Sequence, residues 1–350
     1  MHTPIQNIGE EGLIKRIKNL IDSEFISEEI NDNLIKGISD DSAVFKIIPG
    51  KVQLLTSDSF VEGVHFDLTF TSLGHLGWKV VVATISDILA MGGTPMYLLI
   101  NICIPQKISI EMIEEFYKGA NQACTHYGCK IIGGDSVATA GNFVVSVSSY
   151  GIANPEKIYY RSGAKVKDLI CVSGHLGASH AGLRILQREK KSYLEKRENF
   201  KPNLEPYKAA IEKYLMPRPR TDILNLIVNN VQINSMIDVS DGLASDVHKI
   251  CRESNVGVEI WEHNIPIANI TQKIADEFSE NVIDYALFGG EEYEMLFTLN
   301  DAEYEILENL TPDVTILGRI VESSKGVNFI RENGETEPLP DGSILSKIKK

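Results

Sequence analysis

The chain is short of positive charge, sparing with cysteine, and without the glycine-rich motifs that open the common nucleotide-binding folds. Lysine and arginine number 34 against 48 aspartates and glutamates, a formal charge of −14. With no basic stripe in the sequence, nucleic acid and anionic membrane surfaces are excluded as partners. An anionic substrate would then need a metal ion or a local arginine to be admitted. The five cysteines, Cys103, Cys124, Cys129, Cys171 and Cys251, are odd in number and include no C-x-x-C pair. Neither a zinc knuckle nor a disulfide framework is indicated, and reduced thiols follow. There is no G-x-x-x-x-G-K-[ST] loop, no G-x-G-x-x-G turn and no G-x-S-x-G elbow, which removes the P-loop, dinucleotide-binding and hydrolase readings. Met1-His2-Thr3-Pro4 does not lead from a basic segment into an apolar core, and no apolar run reaches membrane-spanning length, so a cytoplasmic protein is expected.

What is present is a chain of 350 residues, 43% hydrophobic, long enough for two domains with a core in each. Its most unusual stretch is Thr56-Ser57-Asp58-Ser59-Phe60-Val61-Glu62-Gly63-Val64-His65-Phe66, which ends the apolar run Val52 to Leu55 with hydroxyls, a carboxylate, a glycine and a histidine. In an extended segment alternate side chains share a face, so Thr56 and Asp58 can point at one ligand. Similar clusters recur as Ser39-Asp40-Asp41-Ser42, Ser86-Asp87, Gly133-Gly134-Asp135-Ser136, Asp238-Val239-Ser240-Asp241-Gly242 and Gly289-Gly290-Glu291-Glu292. Hard oxygen ligands scattered in this way suit several Mg²⁺ ions holding a polyphosphate, because Mg²⁺ combines a few carboxylates with water and substrate phosphates. Asp40-Asp41 is either a turn or a cation site, since adjacent acids repel unless a cation lies between them. His65 is either a surface residue or a ligand contact, and Arg161 either a surface residue or a phosphate contact suited to guanidinium geometry.

Helical spacing of Leu13, Ile14, Ile17, Leu20 and Ile21 predicts an amphipathic helix over 9–22. Residues 74–91 form an apolar helix in which Asp87 is costly unless paired or metal-bound. A strand over 96–104 and a helix over 109–127, with Ser109 as its cap, lead to a strand running into Gly133-Gly134, whose N–H groups could cradle phosphate. A strand over 143–152 closes the first half, and a domain boundary falls near Asn154-Pro155. Beyond it come a strand at 168–173, a helix through Leu186, a charge-rich solvated stretch 187–201, a helix near 206–215 and one from a capping Thr221 through Val228. A strand ending at Asp238 then meets a helix starting at Leu243, a junction that favours anions. Two further strands flank Phe288 to Glu294, and strands at 314–320 and 326–330 complete the sheet. Strands and helices alternate in both halves, giving two α/β domains with mixed sheets, 1–153 and 154–350.

Taken together, Gly37-Ile38-Ser39-Asp40-Asp41-Ser42-Ala43, Thr56-Ser57-Asp58 with His65-Phe66, Ser86-Asp87-Ile88-Leu89-Ala90-Met91-Gly92, Gly133-Gly134-Asp135, Arg161-Ser162-Gly163, Asp238-Val239-Ser240-Asp241-Gly242-Leu243 and Gly289-Gly290-Glu291-Glu292-Tyr293-Glu294 resemble the motifs of the thiamine-monophosphate kinase family, in that family's order. The family belongs to a superfamily with aminoimidazole ribonucleotide synthetase and selenophosphate synthetase. The resemblance implies an N-terminal domain that binds ATP and Mg²⁺ and forms a β-barrel shared in a homodimer, with a C-terminal α/β domain completing the active site. It implies direct in-line transfer from ATP to thiamine monophosphate, the last step of thiamine diphosphate synthesis, without a phosphoenzyme or a catalytic side chain. By the same resemblance Asp41, Thr56, Ser57, Asp58, Asp87, Asp135, Asp238 and Asp241 match the Mg²⁺ ligands. Tyr117, Gly134, Asp135, Arg161 and Ser240 match ATP contacts, and His65 and Glu291 match contacts to thiamine monophosphate. The sequence departs from the family at Pro340-Asp341-Gly342-Ser343-Ile344-Leu345, which lacks the aromatic that packs on thiamine, and at Ser39, where glycine is usual. Another ATP-using enzyme of the superfamily and a non-catalytic nucleotide-binding regulator are the competing readings.

Overall fold

A computed structural model describes residues 7–22, 28–38, 41–195 and 200–342. Ser39, Asp40, the end of the charge-rich stretch at 196–199 and the tail from Ser343 lie outside the described residues. The chain divides into two compact units, 1–88 with 93–156, and 89–92 with 157–350. The first contains α1 (Gly9–Asp22), α2 (Glu28–Asn33), β1 (Leu34–Lys36), β2 (Val44–Phe45), β3 (Val52–Val61), α3 (Leu73–Ala90), β4 (Thr94–Pro105), α4 (Ile110–Tyr127), β5 (Lys130–Thr139) and β6 (Val144–Ala153), the last residues of α3 being grouped with the second unit. A four-stranded sheet runs in the order β3-β6-β4-β5, antiparallel except where β4 and β5 pair in parallel.

Strand alternation sorts the two faces of this sheet. Leu54, Phe60, Val145 and Val147 are buried, whereas Leu55, Ser57, Ser59 and Leu99 stand on an open face, with Leu55 79% exposed. Helix α3 is largely apolar, with Val80, Val81, Ile85 and Ile88 buried. By length and composition it does qualify as a membrane span, contrary to expectation, but 83% of it is buried within the fold, as in the core helix of a globular domain. Ser109 caps α4 as expected, its side chain accepting from Met112 N at 3.4 Å, and Gly128 ends the helix at φ 67°.

The second unit contains β7 (Leu169–Ser173), α5 (Ala178–Glu195), α6 (Lys208–Leu215), α7 (Thr221–Asn230), β8 (Ser235–Asp238), α8 (Leu243–Ser254), β9 (Val256–Trp261), α9 (Asn269–Phe278), α10 (Val282–Phe288), β10 (Met295–Leu299), α11 (Asp301–Glu308), β11 (Val314–Glu322), β12 (Val327–Ile330) and β13 (Thr336–Pro338). Its sheet is mixed, in the order β13-β12-β9-β11-β7-β10-β8, with β12 and β9 parallel. Ile170, Val172, Ile237, Leu296 and Val258 from the sheet close a core with Leu243, Val247 and Ile250 of α8. Three local expectations are corrected. The segment before Gly289 is a helix, where Tyr285, Ala286 and Leu287 bury one face, rather than a strand. Thr221 is the first helical residue of α7, and its N-cap, Arg220, makes no side-chain cap. Gly133 to Ser136 continue β5 instead of leaving it as a turn, with a bulge opposite Leu98 and Leu99.

Close helix packing in the first unit depends on glycine. A Cβ added at Gly119 would lie 1.9 Å from Gly74 O, so α3 and α4 approach backbone to backbone. Gly119→Ala must push the helices apart, and overpacking of this kind costs about 1–3 kcal/mol. A urea unfolding midpoint equal to that of the parent chain would contradict this packing.

Candidate active site

Helix α3 and strand β3 bring the first pair of expected residues together. Asp87, half-buried on α3, accepts a hydrogen bond from Thr56 Oγ1 at 2.6 Å, and Asp58 shares Thr56's face of β3. Ser57 lies on the opposite face, its hydroxyl 3.0 Å from Ser148 Oγ and 3.2 Å from Val147 O, so alternation separates its side chain from Thr56 and Asp58. At the end of the same strand, Val61 N donates to His65 Nδ1 at 3.0 Å. With Nδ1 accepting, the proton of the neutral ring sits on Nε2. Glu62, within the same motif, accepts from Phe143 N at 3.0 Å and pairs with Lys107, which ties the turn to β6.

A second group forms around a cavity of about 520 Å³ lined by Asp41, Ser42, Tyr117, Gly133, Gly134, Asp135, Asn101 and the apolar Ile14, Ile17 and Ile132. Asp41, Tyr117, Gly134 and Asp135 are therefore neighbours in space although 94 residues separate the first from the last. A Cβ at Gly134 would sit 1.8 Å from Ile100 O, so contact between adjacent strands already requires glycine here. Tyr117 is buried in α4 with its ring edge-on to Phe116, and burial pushes its hydroxyl pKa up.

In the second unit the turn from Asp238 to Gly242 joins β8 to α8. Two of its amides, Ser240 N and Asp241 N, donate to Asp246 Oδ2 at 3.1 and 3.2 Å. Asp246 is fully buried, and desolvation lifts its pKa to about 6 although Lys249 opposes the shift. Lys249 bridges Asp246 and Asp241. The facing loop, Gly289 to Glu294, bonds to this turn through its backbone: Glu291 N to Ser240 O at 2.8 Å, and Glu292 N and Tyr293 N to Val239 O at 3.1 and 2.9 Å. Glu291 and Tyr293 both have left-handed backbones, φ 56° and 54°. Such conformations cost of order 1–3 kcal/mol in a non-glycine residue and persist where the surroundings over-determine them. Arg161, also in this unit, is exposed, and its carbonyl accepts from Ser254 Oγ at 3.2 Å.

Asp246, Lys249, Glu292 and Glu294 were not among the expected site residues. Asp246 carried the same signal as Asp87, an acid flanked by apolar helical positions, here Leu243, Ala244 and Val247. Among the described residues no group of three or more His, Cys, Asp or Glu side chains is gathered to hold a metal ion. Oxygen pairs such as Thr56 with Asp87, and Asp41 with Asp135 around one cavity, instead fit a cation that takes one or two carboxylates and completes its shell with water and phosphate.

The family models for AIR synthase related protein match this chain over residues 39–153, for the N-terminal domain, and 168–330, for the C-terminal domain. The chain belongs to that family of two-domain α/β proteins. It is 33% identical to thiamine-monophosphate kinase of Aquifex aeolicus over 324 residues, which covers 92% of this chain and 94% of that one, and 34% identical to the Bacillus subtilis protein of the same name over 295 residues, covering 83% and 86%. A solved structure described as AaThiL complexed with AMPPCP and TMP superposes with TM-score 0.70 at 32% identity, covering 94% of this chain and 95% of that one. Thiamine-monophosphate kinase from Stenotrophomonas maltophilia gives TM-score 0.77 at 28% identity, covering 94% and 98%. Within the AIR synthase related proteins, the chain is a member of the thiamine-monophosphate kinase family.

Because the fully buried Asp246 accepts from two turn amides and pairs with Lys249, Asp246→Ala should destabilise the chain by about 1–3 kcal/mol. Thermal unfolding would measure it, and an unchanged Tm would show that the turn holds without this acceptor.

Proposed function

We propose that this chain transfers the terminal phosphoryl group of ATP to thiamine monophosphate, giving thiamine diphosphate and ADP. The observation that carries the reading is the convergence of Asp41, Tyr117, Gly134 and Asp135 on one cavity of a chain one-third identical to thiamine-monophosphate kinases over nearly its whole length. Tyr117, Gly134, Asp135, Arg161 and Ser240 contact ATP in this reading, and His65 and Glu291 contact the acceptor. Asp41, Thr56, Ser57, Asp58, Asp87, Asp135, Asp238 and Asp241 hold Mg²⁺ ions, which supply the positive charge that a chain of net charge −14 does not. For Ser57 the side chain lies away from Asp58, so its role depends on the open face of the sheet.

Transfer is direct and in line. The bond from the terminal phosphorus to the bridging oxygen of ATP breaks as one from the acceptor phosphate oxygen forms, and ADP leaves with the bridging electrons. Positioning and charge cancellation are the main demands of such a reaction. The acceptor oxygen is already largely ionised near neutral pH, so no side chain has to remove its proton. His65, donating from Nε2, and Glu291, held by its left-handed backbone, are suited to orient the acceptor.

The 1–153 segment serves ATP, Mg²⁺ and dimerisation in this reading, and 154–350 completes the site. The open sheet face supports a homodimer: Leu55, Leu99 and Val137 are exposed among Ser57, Ser59 and Ser146, with Asp135 the acid on the same face. A second copy closing that face as a shared barrel would cover them. No nucleic-acid or membrane partner is proposed, and the cytoplasm is the compartment in which ATP and reduced thiols are available.

Incubation with Mg-ATP and thiamine monophosphate should yield ADP and a product of thiamine diphosphate mass. Transfer to a different acceptor alone, or ATP binding without turnover, would favour the two competing readings. Asp135→Asn should lower the rate at least about a hundredfold while leaving the circular dichroism spectrum intact, and near-parental turnover would remove Asp135 from the site. Leu55→Arg should convert a dimer to a monomer in sedimentation, with its stoichiometry unchanged if the open face is not the interface.

A further inference from the structure

The loop from Gly289 to Glu294 carries two carboxyl groups that this reaction does not use. Glu292 and Glu294 turn inward and are each 1% exposed. Glu294 is well provided: Ser173 Oγ donates to it at 2.6 Å, Lys213 Nζ at 2.8 Å, and Arg220 lies 3.7 Å away. Glu292 is not. Its Oε1 accepts from Ser179 N, in the first turn of α5, at 3.0 Å, while its Oε2 is buried with no hydrogen-bond partner. An ionised carboxylate in that position would leave charge unsatisfied in a dry interior, whereas the neutral acid leaves only a hydroxyl.

We propose that Glu292 is a positioning residue for the acceptor end of the site, its buried side chain fastening the backbone that presents Glu291 to the start of α5. The backbone bonds of residues 291–293 to Val239 and Ser240 carry the same restraint into the turn holding Asp238 and Asp241. The proposal rests on the kinase reading only for the identity of what Glu291 meets.

The neutral acid is the form that fits. Burial pushes the pKa of Glu292 up to about 8, with Lys213 pulling it down and Glu294 raising it. Those are the charged groups facing it from α6 and from its own loop. Arg220 acts on Glu294 from before α7, and Gly177, just before α5, and Ser179, in its first turn, contribute backbone amides. Above about pH 8 the group ionises in the folded chain, and the loop then carries a charge that its surroundings do not satisfy.

The test compares the parent chain with Glu292→Gln, which keeps the shape of the neutral acid, and Glu292→Ala, which removes the anchor. At pH 7 the Gln variant should keep the parent's KM for thiamine monophosphate within about twofold, and the Ala variant should raise it about tenfold or more with KM for ATP little changed. Between pH 7 and pH 9 that KM should climb in the parent and stay level in the Gln variant. Stability supplies a readout independent of turnover. The folded pKa lies above the ordinary value of 4.5, so between about 4.5 and about 8 the folded chain keeps a proton that the unfolded chain has lost. Stability therefore falls as pH rises through that window. The Tm of Glu292→Gln should gain on that of the parent from pH 5 to pH 8.

Equal KM profiles and equal Tm slopes for parent and Gln variant would overturn the proposal. A parent chain that never phosphorylates thiamine monophosphate would instead sink the kinase reading. Amide exchange at Glu291 and Tyr293 would still decide the anchor: faster in Glu292→Ala but not in Glu292→Gln if it holds, unchanged in both if it does not.

Discussion

Carboxylates can be concentrated in a folded chain only where donors or cations meet them, and that constraint organises this molecule. Asp246 is buried because two turn amides and Lys249 reach it. Glu294 is buried because Ser173 and Lys213 do. Asp87 sits on a largely apolar helix with Thr56 Oγ1 donating to it. In the second unit the pairing of the acid-bearing turn and loop hangs on one residue's backbone in particular. Val239 N donates to Glu294 O at 2.8 Å, and Val239 O accepts from both Glu292 N and Tyr293 N. These bonds lock two acid-bearing segments together and hold non-glycine residues in left-handed conformations that neither segment would keep alone.

The first unit meets the same constraint with a sheet of two unlike faces. One packs in the core with mostly apolar side chains and also carries Thr56 and Asp58; the other exposes hydroxyls, Asp135 and a few aliphatic side chains. Alternation along β3 sends Thr56 and Asp58 to one side and Ser57 to the other, which no count of nearby oxygens along the chain distinguishes. Asp135 reaches the cavity from an edge strand, not from a turn, and the glycine before it is demanded by Ile100 O. A motif that reads as a phosphate loop is thus also a packing solution between parallel strands.

Much of the architecture was legible in the amino-acid order. The apolar period over 9–22 became α1, Ser109 capped α4, and the two-domain pattern of mixed sheets followed from alternating strand and helix signals. The acid-bearing motifs also identified the family, because their order along the chain is itself a signature. What local reading missed were cases where tertiary burial overrode a short-range cue. Val282 to Phe288 forms a helix because its apolar face packs against the core, although a brief apolar run before Gly-Gly resembles a strand. Helix α3 matches a membrane span in length and composition, and only its burial distinguishes it as a core helix.

The order of residues alone determined which chemical groups are available: hydroxyls, carboxylates and glycines at junctions, with too few cations nearby to neutralise a polyphosphate. That follows from composition and from the period of each element, which are local properties. Only the tertiary structure decided which of those groups meet. It put Asp41 beside the same cavity as Asp135, gave Asp246 rather than Asp241 the buried place under the turn, and left Glu292 with one oxygen unpartnered in the interior. Such outcomes depend on desolvation and on donors from distant segments, and neither exists until the chain has closed on itself.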